Sequence, residues 1–335
     1  MTETRYPSTG YYSLRAPVAM RGSLMLEVAA ELARVASWPH KQPLIQMRAQ
    51  GADEWAVTLF GSDSPDAVHL VARKEVTFAI VNPGAILALA LRGLGPFPEP
   101  VPVRTIAVMP QFDQLGFAVT ADTGLTTLTQ LRDQQYPLKV TLRGQRNHSQ
   151  HVVIREVLAA IGMKVEDIEA WGGELIYEPG TPDARLATVR SGRANALWDE
   201  AMPMYAADAI AMGMRFLTLE PDHLQKLREM GLRAIPLSAA YPQVKEEIWT
   251  IDFSGWPIYT HADTPDDIVE AFCRALDTRK DRIPHRQTDQ SQPLGDLPLD
   301  EMCGDTREAP LYAPFHPAAE RYWREHGYLS APSGS

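Results

Sequence analysis

Several features that would announce a function are missing from this 335-residue sequence. It has only two cysteines, Cys273 and Cys303, neither of them in a CxxC pair or at a zinc-like spacing from histidine. That count excludes a disulfide framework and argues against a zinc site. One structural disulfide stays open, with two reduced thiols as the preferred expectation. Cys273 falls on the apolar face of a predicted helix and reads as core packing. No stretch approaches the roughly 20 apolar residues of a membrane span, so direct insertion is set aside. With 32 Lys and Arg against 42 Asp and Glu, the formal charge is -10. There is no basic stripe to replace phosphate counterions, which excludes nucleic acid as a partner. There is no GxSxG elbow, no GxGxxG after a strand, no phosphate-binding P-loop and no HExxH helix. No catalytic residue, metal or cofactor is therefore assigned. The opening from Met1 to Val18 holds two prolines, a glycine and three tyrosines, with no apolar signal core. The expectation is a cytoplasmic protein, with a periplasmic one as the alternative if the sequence is a mature form.

What is present is an ordinary globular composition, long enough for two domains. Thr77 to Val81, Val103 to Met109, Leu115 to Ala121, Leu138 to Leu142, Ala194 to Trp198 and Pro257 to His261 read as buried strands. Each is short, apolar and bounded by turn residues. Helical stripes lie among them: Leu24, Val28, Leu32 and Val35; Val153, Val157, Leu158 and Ile161; Ile268, Phe272, Cys273 and Leu276. The alternation predicts an α/β protein with largely parallel sheets. Ser64-Pro65-Asp66, Thr181-Pro182-Asp183 and Thr264-Pro265-Asp266 share one helix-start chemistry. A hydroxyl caps a free N–H, proline fills the first turn and aspartate meets the positive helix end. Gly162 and Gly192 fit helix C-terminal positions. From Asp281 to Pro314 periodicity fades, and the expectation is a long surface loop ending in a short helix, Pro317 to His326.

Ligands of open α/β sheets sit beyond the carboxyl ends of strands, near helix N-termini. Four junctions therefore matter. Gly61-Ser62-Asp63-Ser64 offers hydroxyls and amides; Ser62 is a ligand candidate, and Ser64 reads as a cap. Asn82, after the strand ending at Val81, can donate and accept, with an Asx turn as the plain alternative. Arg143-Gly144-Gln145-Arg146-Asn147-His148-Ser149 is the densest polar run. Arg143, Gln145, Asn147 and His148 there combine a guanidinium fork, two amides, an imidazole and a helix start, a set suited to a carboxylate or phosphate. The His148/His151 spacing lacks an adjacent carboxylate, which disfavours a metal. Trp198-Asp199-Glu200 supplies a stacking wall in Trp198 and a carboxylate in Asp199 or Glu200 for a ligand amine or for orienting Arg143.

At these junctions the chain resembles the TAXI family of solute-binding proteins, the branch of the periplasmic-binding fold associated with TRAP transporters. The stretches that carry the likeness run in order from Gly22 to Gly327. They include "VHLVARKEVTFAIVNPGAILALA", "VRTIAVMPQFDQLGFAVTADTGLTTLTQLRD", "LATVRSGRANALWDEAMPMY", "IYTHADTPDDIVEAFCRAL" and "APFHPAAERYWREHG". The family's early glycine-rich threonine/serine turn has only a loose counterpart here. The resemblance implies a two-lobed periplasmic-binding-protein type II-like (Venus flytrap) α/β fold. Its two mixed or parallel sheets would be flanked by helices and joined by two hinge crossings. One lobe would be 1–115 plus 255–335 and the other 116–254. Gln111 and Asp113 would lie at the first crossing, and Ser254 to Trp256 at the second, with Trp256 a further stacking wall.

The expected function is capture of a small carboxylate-bearing organic acid in the interlobe cleft, for a TRAP-type membrane permease. An enzyme on the same fold is the alternative. Dihydroxyphthalate decarboxylases and menaquinone-pathway lyases look like flytraps that do chemistry, and His148, Asp199 and Glu200 would then be acid–base candidates. A ligand sensor ranks third.

Overall fold

Residues 44–47, 57–179, 181–281, 283 and 296–329 are described by the structure, a computed structural model. The helix expected over Leu24 to Val35 lies outside them. Twelve strands are labelled in chain order. They are β1 Leu44–Met47, β2 Val57–Gly61, β3 Phe78–Ile80, β4 Val103–Met109, β5 Gln114–Val119 and β6 Lys139–Arg143. The rest are β7 Glu174–Glu178, β8 Ala196–Asp199, β9 Arg215–Phe216, β10 Ala234–Pro236, β11 Trp249–Asp252 and β12 Trp256–His261. The helices used below are α1 Asp66–Ala72, α2 Ala85–Arg92, α3 Ser149–Ala160, α4 Pro182–Arg190, α5 Asp266–Arg279 and α6 Pro317–Glu325.

The chain folds as a two-lobed α/β protein with one sheet in each lobe. The first sheet has the order β1-β2-β3-β12-β4, and the second has β10-β11-β5-β8-β6-β7 with β9 also on β5. Both are mixed. Strands β2, β3 and β4 share a direction, and so do β6, β7 and β8. Strand β5 runs against β8, and β12 against β3 and β4. These two strands enter a sheet straight from the other lobe. They need no helical crossover, which is why the sheets are less parallel than the alternation predicts.

The chain leaves the first sheet after Met109 and enters the second at Gln114. It returns between Asp252 and Trp256. The two crossings are bonded to each other: Phe253 N–H donates to the Asp113 carbonyl at 3.0 Å, and Gly255 N–H to that of Gln111 at 2.8 Å. The Ser254 hydroxyl accepts from Asp113 N–H at 3.0 Å and donates to the Asp113 carbonyl at 3.1 Å. Gly255 sits at φ +73°, and a Cβ there would come within 2.8 Å of Pro310 and 2.9 Å of Val108. Glycine alone fits that close approach.

The helix starts differ in how they are capped. The Ser64 hydroxyl accepts from Asp66 N–H at 3.2 Å, as expected. The Thr181 side chain makes no cap bond. Thr264 turns its hydroxyl to Thr260 at 2.6 Å and so serves the strand. For α3 the cap is His148 rather than Ser149, with the His148 ring accepting from Gln150 N–H. Gly162 and Gly192 follow helix ends at φ +79° and +77°, in the left-handed conformation that favours glycine.

The expectation of a surface loop from Asp281 is corrected where the structure describes it. Leu297, Leu299, Met302 and Cys303 are buried in a core shared with α5 and α6. Residues 305–312 then pass behind both crossings. Arg233 Nη1 reaches Asp305 at 3.4 Å, Gln111 N–H donates to Glu308 O at 2.8 Å, and the Arg307 guanidinium covers the Phe112 ring at 4.4 Å. Tyr312 donates its hydroxyl to Asp252 at 3.0 Å. Its ring fills the space beside Gly84, where a Cβ would stand 2.6 Å from it. The segment therefore touches the second lobe through Arg233 and Asp252, and the first beside Gly84. Single, mostly polar contacts anchor it where sequence periodicity is silent, because a single pass of irregular chain has no face to repeat.

Candidate functional site

Strand β6 extends one residue further than predicted, so Arg143 is its last member. Its neighbours in register are β7 and β8. From the strand end the guanidinium reaches Glu200, just past β8, in a close Nη1–Oε1 ion pair. The same Nη1 stands 2.9 Å from His148 Nε2. His148 Nδ1 accepts from Gln150 N–H at 3.1 Å, so the network assigns the ring proton to Nε2. Two donors thus face each other, and the Glu200 carboxylate, 3.7 Å from Nε2, is the acceptor beside both. The third donor, Arg143 Nε, is buried and has no hydrogen-bond partner among the described residues. Gln150 ties the α3 start to β8, donating to Trp198 O at 3.1 Å and accepting from Glu200 N–H at 3.4 Å.

Asp113, at the first crossing, closes the back of this cluster. Its carboxylate accepts from the backbone N–H groups of Gln114 at 2.8 Å, Ala201 at 2.9 Å and Met202 at 3.1 Å. Ala201 adopts φ +56° to aim those amides, a conformation costing on the order of 1 kcal/mol for a residue with a Cβ. Burial pushes the Asp113 carboxyl well above its ordinary range, and the nearby Glu200 charge acts in the same direction. The three N–H donors pull the other way. Burial also raises Glu200, against the opposing charge of Arg143.

Trp198 and Asp199 do not join the cleft. Trp198 is 2% exposed and stacks on Phe117 in the core, with centroids 4.4 Å apart and planes 7° apart. The expected stacking wall is corrected accordingly. Asp199, one residue on, points to the opposite face of β8, where Arg185 of α4 grips it in a fully buried ion pair. It is Glu200 that orients Arg143. Burial raises Asp199 to about 7, with the Arg185 charge opposing.

The other candidates are spread more widely. Ser62 bonds within its own turn, accepting from Ser64 N–H at 3.0 Å. Asn82 follows β3 beside it, and its buried Oδ1 has no hydrogen-bond partner among the described residues. Gln111 is half-buried and held through its backbone between Glu308 and Gly255. Asn147 is exposed, and Trp256 is 37% exposed on β12. His151 bonds the Arg143 carbonyl at 3.0 Å, and burial holds its ring down at about 4, hence neutral. Gln145 is drawn across to the first lobe: its Nε2 donates to both Asp63 oxygens, at 2.9 and 3.1 Å. The Asp63 carbonyl accepts from Ser149 N–H at 3.0 Å and Ser149 Oγ at 2.8 Å. Asp63, Gln150 and Ala201 are the site residues that junction reasoning passes over. Asp63 alone left a signal, standing beside Ser62 in a turn already singled out.

The NMT1-like family model matches residues 21–327, nearly the whole chain. The chain belongs to the NMT1-like family. Among solved structures, this NMT1-like chain is similar in fold to the alkanesulfonate-binding protein SsuA from Xanthomonas axonopodis pv. citri, at 13% identity and a TM-score of 0.29. The likeness covers 65% of this chain and 61% of that one. The periplasmic aliphatic sulphonate binding protein SsuA from Escherichia coli matches at 15% identity and a TM-score of 0.29, over 47% of this chain and 44% of that one. Lactococcal OpuAC, complexed with glycine betaine, matches at 10% identity and a TM-score of 0.35, over 79% and 82%. The chain thus spans less than two thirds of the two sulfonate binders. No curated protein matches it. The expectation of a cytoplasmic protein is corrected here. It rested on the opening residues alone, whereas proteins similar to this NMT1-like chain are described as periplasmic.

Proposed function

We propose that this chain is a solute-binding protein of the TAXI type that closes its lobes on a small carboxylate-bearing organic acid and delivers it to a TRAP-type membrane permease. On this reading the first lobe ends before Gln114, where β5 of the second sheet begins, rather than at 115, and resumes at 255. Arg143 is the anchor. Glu200 and His148 hold its Nη1 side, and its buried Nε edge is left to bind a ligand oxygen. That unpartnered donor is the observation that carries the reading, since a guanidinium pairs side-on with a carboxylate through Nε and its neighbouring Nη. Asn82, beyond β3 of the first lobe, contacts the ligand from the other side. Closure excludes water and strengthens the charge-assisted bonds.

The test is calorimetry and thermal-shift screening of aliphatic and aromatic carboxylates against the wild type and the Arg143→Gln and Arg143→Lys variants, with circular dichroism to verify folding. Removing one partner of a buried charge pair costs about 2 kcal/mol or more, so Arg143→Gln weakens the best acid by roughly 30-fold or more. Equal affinity of that acid for wild type and folded Arg143→Gln refutes the anchor.

A further inference from the structure

We propose that Gln145 selects acids carrying a hydrogen-bond donor, a hydroxyl or an amino group, in addition to the carboxylate, and that Asp63 of the opposite lobe enforces that choice. This inference rests on the proposed binding of a carboxylate at Arg143.

The chemistry of the Gln145–Asp63 contact decides which way the amide points. Both Asp63 carboxylate oxygens lie within hydrogen-bond reach of one end of the Gln145 amide, at 2.9 and 3.1 Å. An ionised carboxylate only accepts, so that end is the NH2 group. The amide oxygen then faces the other way. It is buried and accepts no hydrogen bond from any described residue. A buried amide oxygen left without a donor is unfavourable, and the group that relieves it is one bearing O–H or N–H.

Gln145 lies two residues beyond Arg143, in a loop that cannot easily swing. Gly144 N–H is bonded to Glu178 O at 2.8 Å, and the Gln145 carbonyl accepts from His148 N–H at 3.2 Å. A Cβ at Gly144 would stand 2.8 Å from the Pro179 nitrogen, so the loop is pressed against its neighbour. The anion-binding edge and the unpartnered acceptor are thus carried by one rigid turn. An acid held by Arg143 offers its substituents to that same turn.

Asp63 belongs to the turn after β2, in the first sheet, whereas Gln145 and Ser149 follow β6 in the second. The Asp63 carboxylate fixes the amide, and its carbonyl accepts from Ser149. The acceptor is therefore oriented only when the lobes meet. Without Asp63 the amide can rotate and offer NH2, which gives a ligand ammonium nothing to donate to, although a hydroxyl can still accept from it. A site that hydrogen-bonds a hydroxyl or an amine discriminates strongly against the analogue without it, because its own polar group is then left unpaired.

The experiment is calorimetry with matched acids: propionate with lactate, succinate with malate and aspartate, and phenylacetate with mandelate. Wild type, Gln145→Met and Asp63→Asn are compared, each checked for folding by thermal melting. In the wild type the hydroxyl or amino member of at least one set binds about tenfold tighter or more than its plain partner. Aspartate against malate tells which donor is read. Gln145→Met removes the preference, read as the ratio of the affinities within a set, and Asp63→Asn narrows the preference for the amino member with Gln145 still present. A merely structural role would instead weaken all members of a set alike. Equal wild-type affinities within every set overturn this inference and leave the Arg143 carboxylate site standing. Binding of none of the acids overturns the carboxylate reading, and this one with it.

Discussion

The buried pair Arg185–Asp199 makes a demanding test of the second lobe. Both side chains are fully enclosed, Arg185 on α4 and Asp199 on β8. Replacing Arg185 by Met keeps most of the volume and removes the charge. Asp199 then sits in the core with its Oδ1 still lacking a hydrogen bond among the described residues. Breaking a buried pair on one side costs about 3–5 kcal/mol. For a chain of this size that lowers the melting temperature by roughly 4–7 °C. The loss depends on pH. Burial already lifts Asp199 from 3.8 to about 7 while Arg185 opposes, and removing Arg185 lifts it further. Above its ordinary range the unfolded chain has released this proton and the folded chain keeps it, so the penalty for burying the group is absent below the ordinary value and grows as pH rises toward the folded one. Arg185→Met is therefore more destabilised, relative to wild type, at about pH 8 than at about pH 5. Adding Asp199→Leu removes the stranded carboxylate and recovers most of the loss. Denaturant melts at the two pH values measure all three proteins. A single-variant loss below about 1 kcal/mol, or a double variant no better than the single, refutes the pairing.

Two further outcomes follow from packing. Gly116→Ala places a Cβ 2.8 Å from both Met202 Sδ and Phe216 Cε1, which lowers stability by about 1–3 kcal/mol on a denaturant melt; a neutral result means that β5 and the loop after β8 are packed more loosely than described. Burial pushes both thiols up, so neither Cys273 nor Cys303 reacts with a thiol reagent in the folded protein, and both react in denaturant. Rapid labelling of either one without denaturant contradicts that enclosure.

The buried strands were legible because apolar runs between turn residues leave few alternatives. Val103 to Met109 matches β4 to the residue, and the others shift by at most two positions at either end. Strands β1, β2, β7 and β9–β11 were not foreseen. Glu174 and Trp249, for instance, sit at sheet positions that only their partners define. At the site, the polar run after β6 was visible as a run, but the Arg143–Glu200 pair joins residues 57 apart in sequence. No local pattern encodes such a pairing. Trp198 and Asp199 were misread for a simpler reason. Along β8 successive side chains alternate between faces, and both faces of this strand are buried. The tryptophan enters one core and the aspartate the other, so only Glu200, beyond the strand, reaches Arg143. The helix Pro317 to His326 was read correctly, but the stretch from 297 to 312 was misread because its anchoring comes from single contacts rather than from a repeat.

The passage of residues 305–312 behind the crossings bears on how this protein is turned into an optical reporter. Hinged bodies move least near their axis and most at the rim, and this segment is bonded to both sides of the axis through Arg233, Gln111 and Tyr312. A fluorophore fixed there has a short lever arm and reads almost nothing of lobe motion. On the proposed closure, dyes beside Asp63 and on the exposed Asn147 flank the contact that Gln145 makes between the two sheets' turns. The same geometry advises against trimming the chain before Tyr312, because a shortened sensor loses the tether that keeps its two signal states reproducible.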